Sequence, residues 1–245
     1  MQIAIMNDCD ALDVRDFETI RTPWADAGIP IDWCFFLHGN MTPSHNGDYV
    51  EIFKEWGRTY EDYRQFAFTD ESVKHYIDSG LLRTIHMSIP QVFKYYSELS
   101  EILKQMREPI LTGHGAHHKT NKELWSNFLN EDPLSHKFFA ISNMGIVTVD
   151  EDTEIVTGKT FKRIPPRAKT KQVPHYERLV NQLKRACGHS VILSTHLAHK
   201  YSSENREQYL FHVRKTINYM DANDIEVISI RKFIKMMRTI NREEK

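Results

Sequence analysis

The sequence has 245 residues, 40% of them hydrophobic, with 32 basic and 33 acidic side chains. This length and apolar content suit an α/β domain with a sizeable core. With a net charge near zero, there is no excess of basic residues that would point to binding of nucleic acid or of an anionic membrane surface. Cys9, Cys34 and Cys187 are far apart in the sequence, so neither a disulfide framework nor a thiolate metal site is expected. With no recognisable signal peptide and no apolar stretch near eighteen residues, we expect a cytoplasmic protein without a membrane span.

The apolar pattern predicts strands that alternate with helices. Strands are expected at 3–6, 31–37, 81–87, 109–112, 138–141, 145–149, 191–194 and 225–230. Helices are expected at 14–27 with a break at Pro23, near 48–57 and 70–78, and at 92–106, 176–186, 204–220 and 232–240. This order is typical of a parallel sheet or barrel. We predict one α/β domain over residues 1–245, an irregular barrel of about seven or eight mostly parallel strands, with insertions near 41–80 and 150–173.

The first predicted strand ends in acidic residues. The sequence Asn7-Asp8-Cys9-Asp10 follows a short apolar run, and two carboxylates two positions apart on an extended chain point the same way. Burying both without partners would be costly, so they require a cation or hydrogen-bond donors. The alternative is a turn whose carboxylates only cap the following helix.

A histidine cluster follows the predicted strand at 109–112. His114, His117 and His118 lie close together, and glycines flank His114. The four-residue spacing of His114 and His118 would put both imidazoles on one face of a helical turn. Carboxylate and imidazole groups together form a ligand set typical of Zn²⁺. The alternative is a solvated histidine cluster at the start of a helix.

Three further residues are candidates on the same reasoning. His196 follows the apolar strand 191–194, where an imidazole is well placed for general acid chemistry, or is a core histidine with a satisfied hydrogen bond. His86 also ends a predicted strand, and could be a ligand, line a substrate pocket or be purely structural. Arg163 lies in a basic segment that also contains Pro165 and Pro166. On composition alone, this segment is expected to be a solvated loop.

These motifs resemble those of the polysaccharide deacetylases with the NodB-type fold, also called carbohydrate esterase family 4. Asn7-Asp8-Cys9-Asp10 is similar to the family's N-terminal acidic motif, and the resemblance implies that Asp8 is the catalytic base and Asp10 a metal ligand. The spacing of His114 and His118 matches the family's histidine motif, with Gly115 in place of a hydroxyl residue, which implies two further ligands. The stretch from Ser190 to His196 is similar to the strand that carries the catalytic acid.

The sequence departs from the family pattern in several places. The family usually has Leu-x-His where this chain has Leu193-Ser-Thr-His196, and its Arg-x-Pro motif is only faintly echoed by Arg163-Ile-Pro165. No tryptophan occupies the expected fourth motif, and the long segment 41–108 contains His86. His86 could therefore replace a metal ligand, or contact the substrate as Arg163 would.

The resemblance implies a metal-dependent deacetylase that removes an N-acetyl group from a sugar. Within this family, the chain looks most like the cytoplasmic deacetylases of bacterial O-antigen and capsule biosynthesis. The resemblance also implies one bound divalent metal ion, with Zn²⁺ as the preferred ion. The alternatives are a hydrolase of a non-sugar amide or ester on the same barrel, and a non-catalytic carbohydrate-binding relict. We expect the two inserted segments to lie at the carboxyl ends of the strands, where barrel enzymes bind substrate. The side chains expected to contact the substrate are Trp56, Tyr60, Tyr63, Arg163 and Arg167. The oligomeric state is left open by the sequence.

Overall fold

The structure is a computed structural model that describes residues 1–9, 14–35, 70–113, 119–138, 140–143, 146–149, 154–156, 162–164, 173–186, 189–198 and 200–243. The strands within these ranges are β1 (Gln2–Asp8), β2 (Ile31–Phe35), β3 (Thr84–Met87), β4 (Ile110–Gly113), β5 (Ala140–Asn143), β6 (Ile146–Val149), β7 (Glu154–Val156), β8 (Lys162–Ile164), β9 (Val191–Thr195) and β10 (Glu226–Val227). The helices are α1 (Val14–Asp26), α2 (Asp70–Asp78), α3 (Ile89–Lys94), α4 (Tyr96–Gln105), α5 (Lys119–Glu131), α6 (Leu179–Ala186), α7 (Arg206–Asp221) and α8 (Ile230–Glu243). Short 3₁₀ turns lie at Ser135–Lys137, His175–Arg178 and Ser203–Asn205.

The chain divides into two compact units, and the first contains the described parts of Met1–Asp32 and Arg163–Lys245. In this unit β1 pairs in parallel with β9 and with β10. Every residue of β1 after Gln2 is buried, as is typical of a parallel strand covered on both faces. Helix α7 contacts α1 and α6, and α8 contacts β1. The core of this unit therefore lies between its parallel strands and these helices.

Helix α1 illustrates how the first unit is packed. Its buried residues Phe17, Ile20 and Trp24 recur at helical spacing and form one apolar face. The predicted break at Pro23 is wrong, because the helix continues through this residue to Asp26. After Asp26 the chain turns at Gly28, whose φ of +68° favours glycine and allows the Ile29 N–H to donate to the Trp24 carbonyl over 2.9 Å.

The second unit contains the described parts of Trp33–His38 and Thr69–Lys162. Strands β2, β3, β4 and β5 pair in parallel in that order. Strands β6 and β7 then extend β5 as an antiparallel meander, so part of the predicted insertion at 150–173 is strand. The predicted mixed α/β class with parallel strands is confirmed, whereas a single closed barrel and a single domain stay predictions.

Several predicted elements differ from the observed ones. The single helix predicted at 92–106 is wrong, because Tyr95, with φ −110° and ψ 31°, separates α3 from α4. Helix α3 also starts before residue 92, since Gln91 Oε1 accepts the Ser88 N–H over 2.9 Å and Pro90 lies in the first turn. Helix α5 is not among the predicted elements. Among the described helices, none is long and apolar enough to cross a membrane.

The strand predicted at 225–230 is also shorter than expected. Glu226 and Val227 are aligned with β1, the Ile228 N–H donates to the Ile3 carbonyl over 2.8 Å, and Ile230 already begins α8. The buried Asp32 carboxylate accepts the Ile230 N–H at 2.7 Å and lies 3.7 Å from the Arg231 guanidinium. A capping side chain nearly two hundred residues away in the sequence therefore sets where this helix starts.

Candidate functional site

The parallel pairing of β1 with β9 brings two predicted site residues to one edge of the sheet. Asn7 is aligned with Thr195 in this register. Asp8 directly follows Asn7, and His196 directly follows Thr195. Because the carboxyl ends of parallel strands meet at the same edge, both side chains leave the sheet at the same level. In both strands an apolar run is followed by polar residues, and the candidate site begins there.

Asp8 and His196 contact each other at this edge. The Asp8 Oδ2 atom lies 3.7 Å from His196 Nε2, and the side chains are 5% and 29% exposed. This separation is within ion-pair range and longer than a hydrogen bond. The carboxylate is thus almost fully enclosed, whereas the imidazole keeps a face open to solvent. Such a pair can exchange a proton after a small movement and can present the imidazole to a ligand.

Asn7 links the two strand ends behind this pair. Its side chain is fully buried, and its Oδ1 atom accepts the Leu197 backbone N–H over 2.6 Å. Its Nδ2 atom donates to Cys9 Sγ over 3.5 Å. The sequence motifs assign no role to Asn7, although an asparagine at the end of a buried apolar strand signals a required hydrogen-bond partner.

A second histidine contacts His196. His175 begins the 3₁₀ turn His175–Arg178, and its ring centroid lies 5.1 Å from that of His196 with the planes at 78°. In this edge-to-face arrangement, the His175 ring packs against one side of the His196 ring. Nothing in the sequence marks His175 as a site residue, so only the fold brings it to this position.

His86 belongs to the second unit and is 3% exposed. Its Nδ1 atom is 2.7 Å from Thr112 Oγ1, and the Thr112 hydroxyl in turn donates to the Ile85 carbonyl over 3.3 Å. Thr112 Oγ1 therefore connects the His86 ring to the backbone of β3. Burial and this hydrogen bond agree with the structural alternative for His86, and its contact with substrate stays a prediction.

The predicted metal ligands Asp10, His114 and His118 lie outside the described residues, as do His117 and the aromatic candidates Trp56, Tyr60 and Tyr63. The sequence places the histidine cluster directly after Gly113, the last residue of β4. Arg163 lies in β8, but its side chain is outside the described part, and so is Arg167. Within the described ranges, no three His, Cys, Asp or Glu side chains are grouped closely enough to hold a metal ion. The metal site and the substrate contacts therefore stay predictions.

Comparison of the chain with models of protein families, with curated proteins and with solved structures gave no match.

Proposed function

We propose that this chain is a metal-dependent deacetylase of the NodB type that removes an N-acetyl group from a sugar in bacterial surface polysaccharide biosynthesis. The observation that carries the proposal is the contact between Asp8 and His196, 3.7 Å apart at the shared end of β1 and β9. The family resemblance assigns these two residues as base and acid independently of any distance between them. Their proximity is what a paired acid and base require.

The reaction consumes one water molecule and releases acetate and a free amine. Asp8 accepts a proton from the attacking water, and the water oxygen forms a bond to the acetyl carbon. His196, in its protonated form, donates a proton to the nitrogen as the carbon–nitrogen bond breaks. The partial exposure of His196, at 29%, suits a group that must reach a substrate, whereas the enclosed Asp8 suits one that meets only water.

The contact between the two residues also allows the protonation states to be restored. After one turnover Asp8 holds a proton and His196 has lost one. Since Oδ2 and Nε2 are 3.7 Å apart, a small rotation brings them into hydrogen-bond range, and the proton can return from the carboxyl group to the imidazole. The pair would then be ready for the next substrate without an external proton donor.

The donor set predicted for the metal is one carboxylate, Asp10, and two imidazoles, His114 and His118, which is a combination that suits Zn²⁺. An ion held there would supply Lewis-acid chemistry, polarising the acetyl carbonyl and making water a stronger nucleophile at neutral pH. We further propose that the strands close into one barrel of the NodB type and that the protein acts in the cytoplasm. Arg163 and His86 are proposed as substrate contacts.

The proposal is tested by measuring acetate release from a panel of nucleotide-linked and lipid-linked N-acetyl sugars with the purified, zinc-loaded protein. We expect release from at least one member, loss of release after chelation, and recovery when Zn²⁺ is added back. Metal content is measured on the same samples, and Asp10→Asn should lower it. Acetate release that survives complete metal removal would contradict the metal-dependent mechanism.

A matched pair of histidine variants controls for general damage to β9. His196→Ala should lose activity, whereas His189→Ala, an exposed histidine just before the opposite end of the same strand, should keep it. If no N-acetyl sugar yields acetate but an ester or a non-sugar amide is hydrolysed by the same residues, the substrate class is wrong and the chemistry stands.

A further inference from the structure

We propose that Asn7 is a positioning residue that holds Asp8 and His196 at their working separation. The inference rests on the proposed deacetylase function, because that function gives the separation its meaning. Asn7 directly precedes Asp8 in the sequence, and its Oδ1 atom accepts the N–H of Leu197, the residue that directly follows His196, over 2.6 Å. One side chain therefore ties the backbone on either side of the proposed pair.

The position of this hydrogen bond along the strands is what makes it important. The ladder between β1 and β9 ends at the aligned residues Asn7 and Thr195. Beyond that point β9 does not continue, and β1 continues by one residue only, Asp8. The side chain of Asn7 extends the pairing by one more hydrogen bond, at the level where His196 leaves the sheet.

The orientation of the Asn7 amide is determined by its two partners. Its Nδ2 atom donates to Cys9 Sγ over 3.5 Å, and the Cys9 thiol is 3.6 Å from the Asn7 carbonyl oxygen. With the nitrogen directed at the sulfur, the oxygen faces the Leu197 N–H. Asn7 and Cys9 are 0% and 1% exposed, so water cannot substitute for either contact.

The loss of this side chain should displace the pair without removing a reacting group. In Asn7→Ala the Leu197 N–H loses its buried acceptor, and the segment carrying His196 is free to move away from Asp8. A displacement of about 1 Å at a reacting centre can reduce the rate by about 10²-fold. We therefore expect kcat to fall by about 10- to 100-fold, with KM and bound zinc unchanged.

Thr195→Val is the matched control. Thr195 is the strand partner of Asn7, directly precedes His196, and is 0% exposed, yet its hydroxyl has no hydrogen-bond partner among the described residues. Valine has the same shape, so a general disturbance of the β1–β9 pair would appear in both variants. We expect wild-type kcat for Thr195→Val. Asn7→Asp keeps an acceptor oxygen for the Leu197 N–H but loses the Nδ2 donor to Cys9, so it should recover part of the activity lost in Asn7→Ala.

A spectroscopic measurement tests the positioning without relying on activity. The Hε1 signal of His196, assigned by its absence in His196→Gln, is recorded at one pH for wild type, Asp8→Asn, Asn7→Ala and Thr195→Val. If Asn7 holds the pair, its alanine variant should move the signal most of the way to its position in Asp8→Asn, and Thr195→Val should leave it in place. Circular dichroism checks that each variant is folded, and Asn7→Asp provides the comparison if the alanine variant does not fold.

The outcomes separate the two proposals. A shifted His196 signal in Asn7→Ala, in a protein that releases acetate from no substrate, would support the positioning role and count against the deacetylase. A wild-type signal and wild-type kcat in Asn7→Ala, in a protein that does release acetate, would overturn the positioning role alone. In the absence of a folded alanine variant, a His196 signal in Asn7→Asp that coincides with that of Asp8→Asn would also overturn it.

Discussion

Asp8 and His196 have different proposed roles, and a substitution of each residue tests one of these roles. Asp8→Asn keeps the shape of an enclosed side chain and removes only the proton acceptor, so bound zinc should be retained while most turnover is lost. His196→Ala should also retain zinc and lower kcat by roughly 10²–10⁴-fold, the usual contribution of a positioned general acid. Metal content and acetate release are measured for both. An active Asp8→Asn, or loss of zinc in His196→Ala, would contradict the assigned roles.

The same two residues should determine how activity depends on pH. If Asp8 acts as a base and His196 as an acid, wild-type kcat/KM should follow a bell-shaped profile. Removal of the acid leaves only the base to titrate, so His196→Ala should lose the alkaline limb and keep the acidic limb. Initial rates across the pH range measure this. An unchanged alkaline limb in His196→Ala would mean that another group supplies the proton.

Two buried tyrosines show how hydrogen bonding decides the effect of removing one hydroxyl. Tyr209 OH accepts the Trp24 indole N–H over 2.8 Å and donates to the Ile20 carbonyl over 2.6 Å. Tyr176 OH is equally buried but has no hydrogen-bond partner among the described residues. Tyr209→Phe should therefore lower the free energy of unfolding by about 1–3 kcal/mol, whereas Tyr176→Phe should leave it nearly unchanged. Urea denaturation of both variants at neutral pH measures the difference, and equal losses would contradict it.

At the level of elements, the start of α8 depends on one distant carboxylate. Asp32 caps Ile230 and pairs with Arg231, and the side chains of Asp32 and Arg231 are both 7% exposed. Asp32→Ala should destabilise the protein by about 3–5 kcal/mol, because it leaves a buried guanidinium without its carboxylate. Asp78→Ala is the control, since it removes an exposed pair with Lys74 within α2 and should cost less than about 1 kcal/mol.

The double variant Asp32→Ala/Arg231→Met separates the two contributions of Asp32. If most of the loss comes from removing the carboxylate beside the buried guanidinium, replacing Arg231 with an apolar side chain should recover much of the stability. The residual loss then reports the cap of Ile230, which we expect to be about 1 kcal/mol. Urea denaturation of the three variants measures both, and no recovery in the double variant would assign the whole effect to the cap.

At the level of the whole molecule, the buried tyrosines should make folding sensitive to alkaline pH. Burial, then the charges of Glu177 and Tyr201, raises the pKa of Tyr176 to about 12, and burial also raises the pKa of Tyr209 well above its ordinary value. Unfolded tyrosines ionise near pH 10, so the unfolded state loses these protons first. This contribution to stability is complete below about pH 10 and is lost as the pH rises towards 12.

Urea midpoints measured from pH 8 to pH 12 test this dependence, together with tyrosinate absorbance at 295 nm. The midpoint should be constant up to about pH 10 and then fall. Tyr176→Phe removes one of the two groups, so its midpoint should fall less steeply over the same range. A variant that follows the wild-type curve would show that ionisation of Tyr176 is not linked to unfolding.

Local sequence determined many of the elements and the chemistry available to them. The apolar runs of β1, β4 and β9 and the spacing of Phe17, Ile20 and Trp24 in α1 predict strands and a helix at nearly the observed positions. The sequence also identifies the polar residues Asp8 and His196, which follow the apolar runs of β1 and β9, as site candidates. Such features depend on neighbours in the sequence, since side-chain periodicity and terminal residues act over one or two turns or a few strand positions.

Tertiary structure decided what those residues contact. The register of β1 with β9 sets the 3.7 Å separation of Asp8 and His196, and Asn7 reaches Leu197 across 190 positions of sequence. Asp32 caps the start of α8 across 198 positions, and the contact of His175 with His196 also joins residues that no helical or strand spacing relates. No local pattern encodes these contacts, because a hydrogen bond across parallel strands requires both strands to be folded and aligned first.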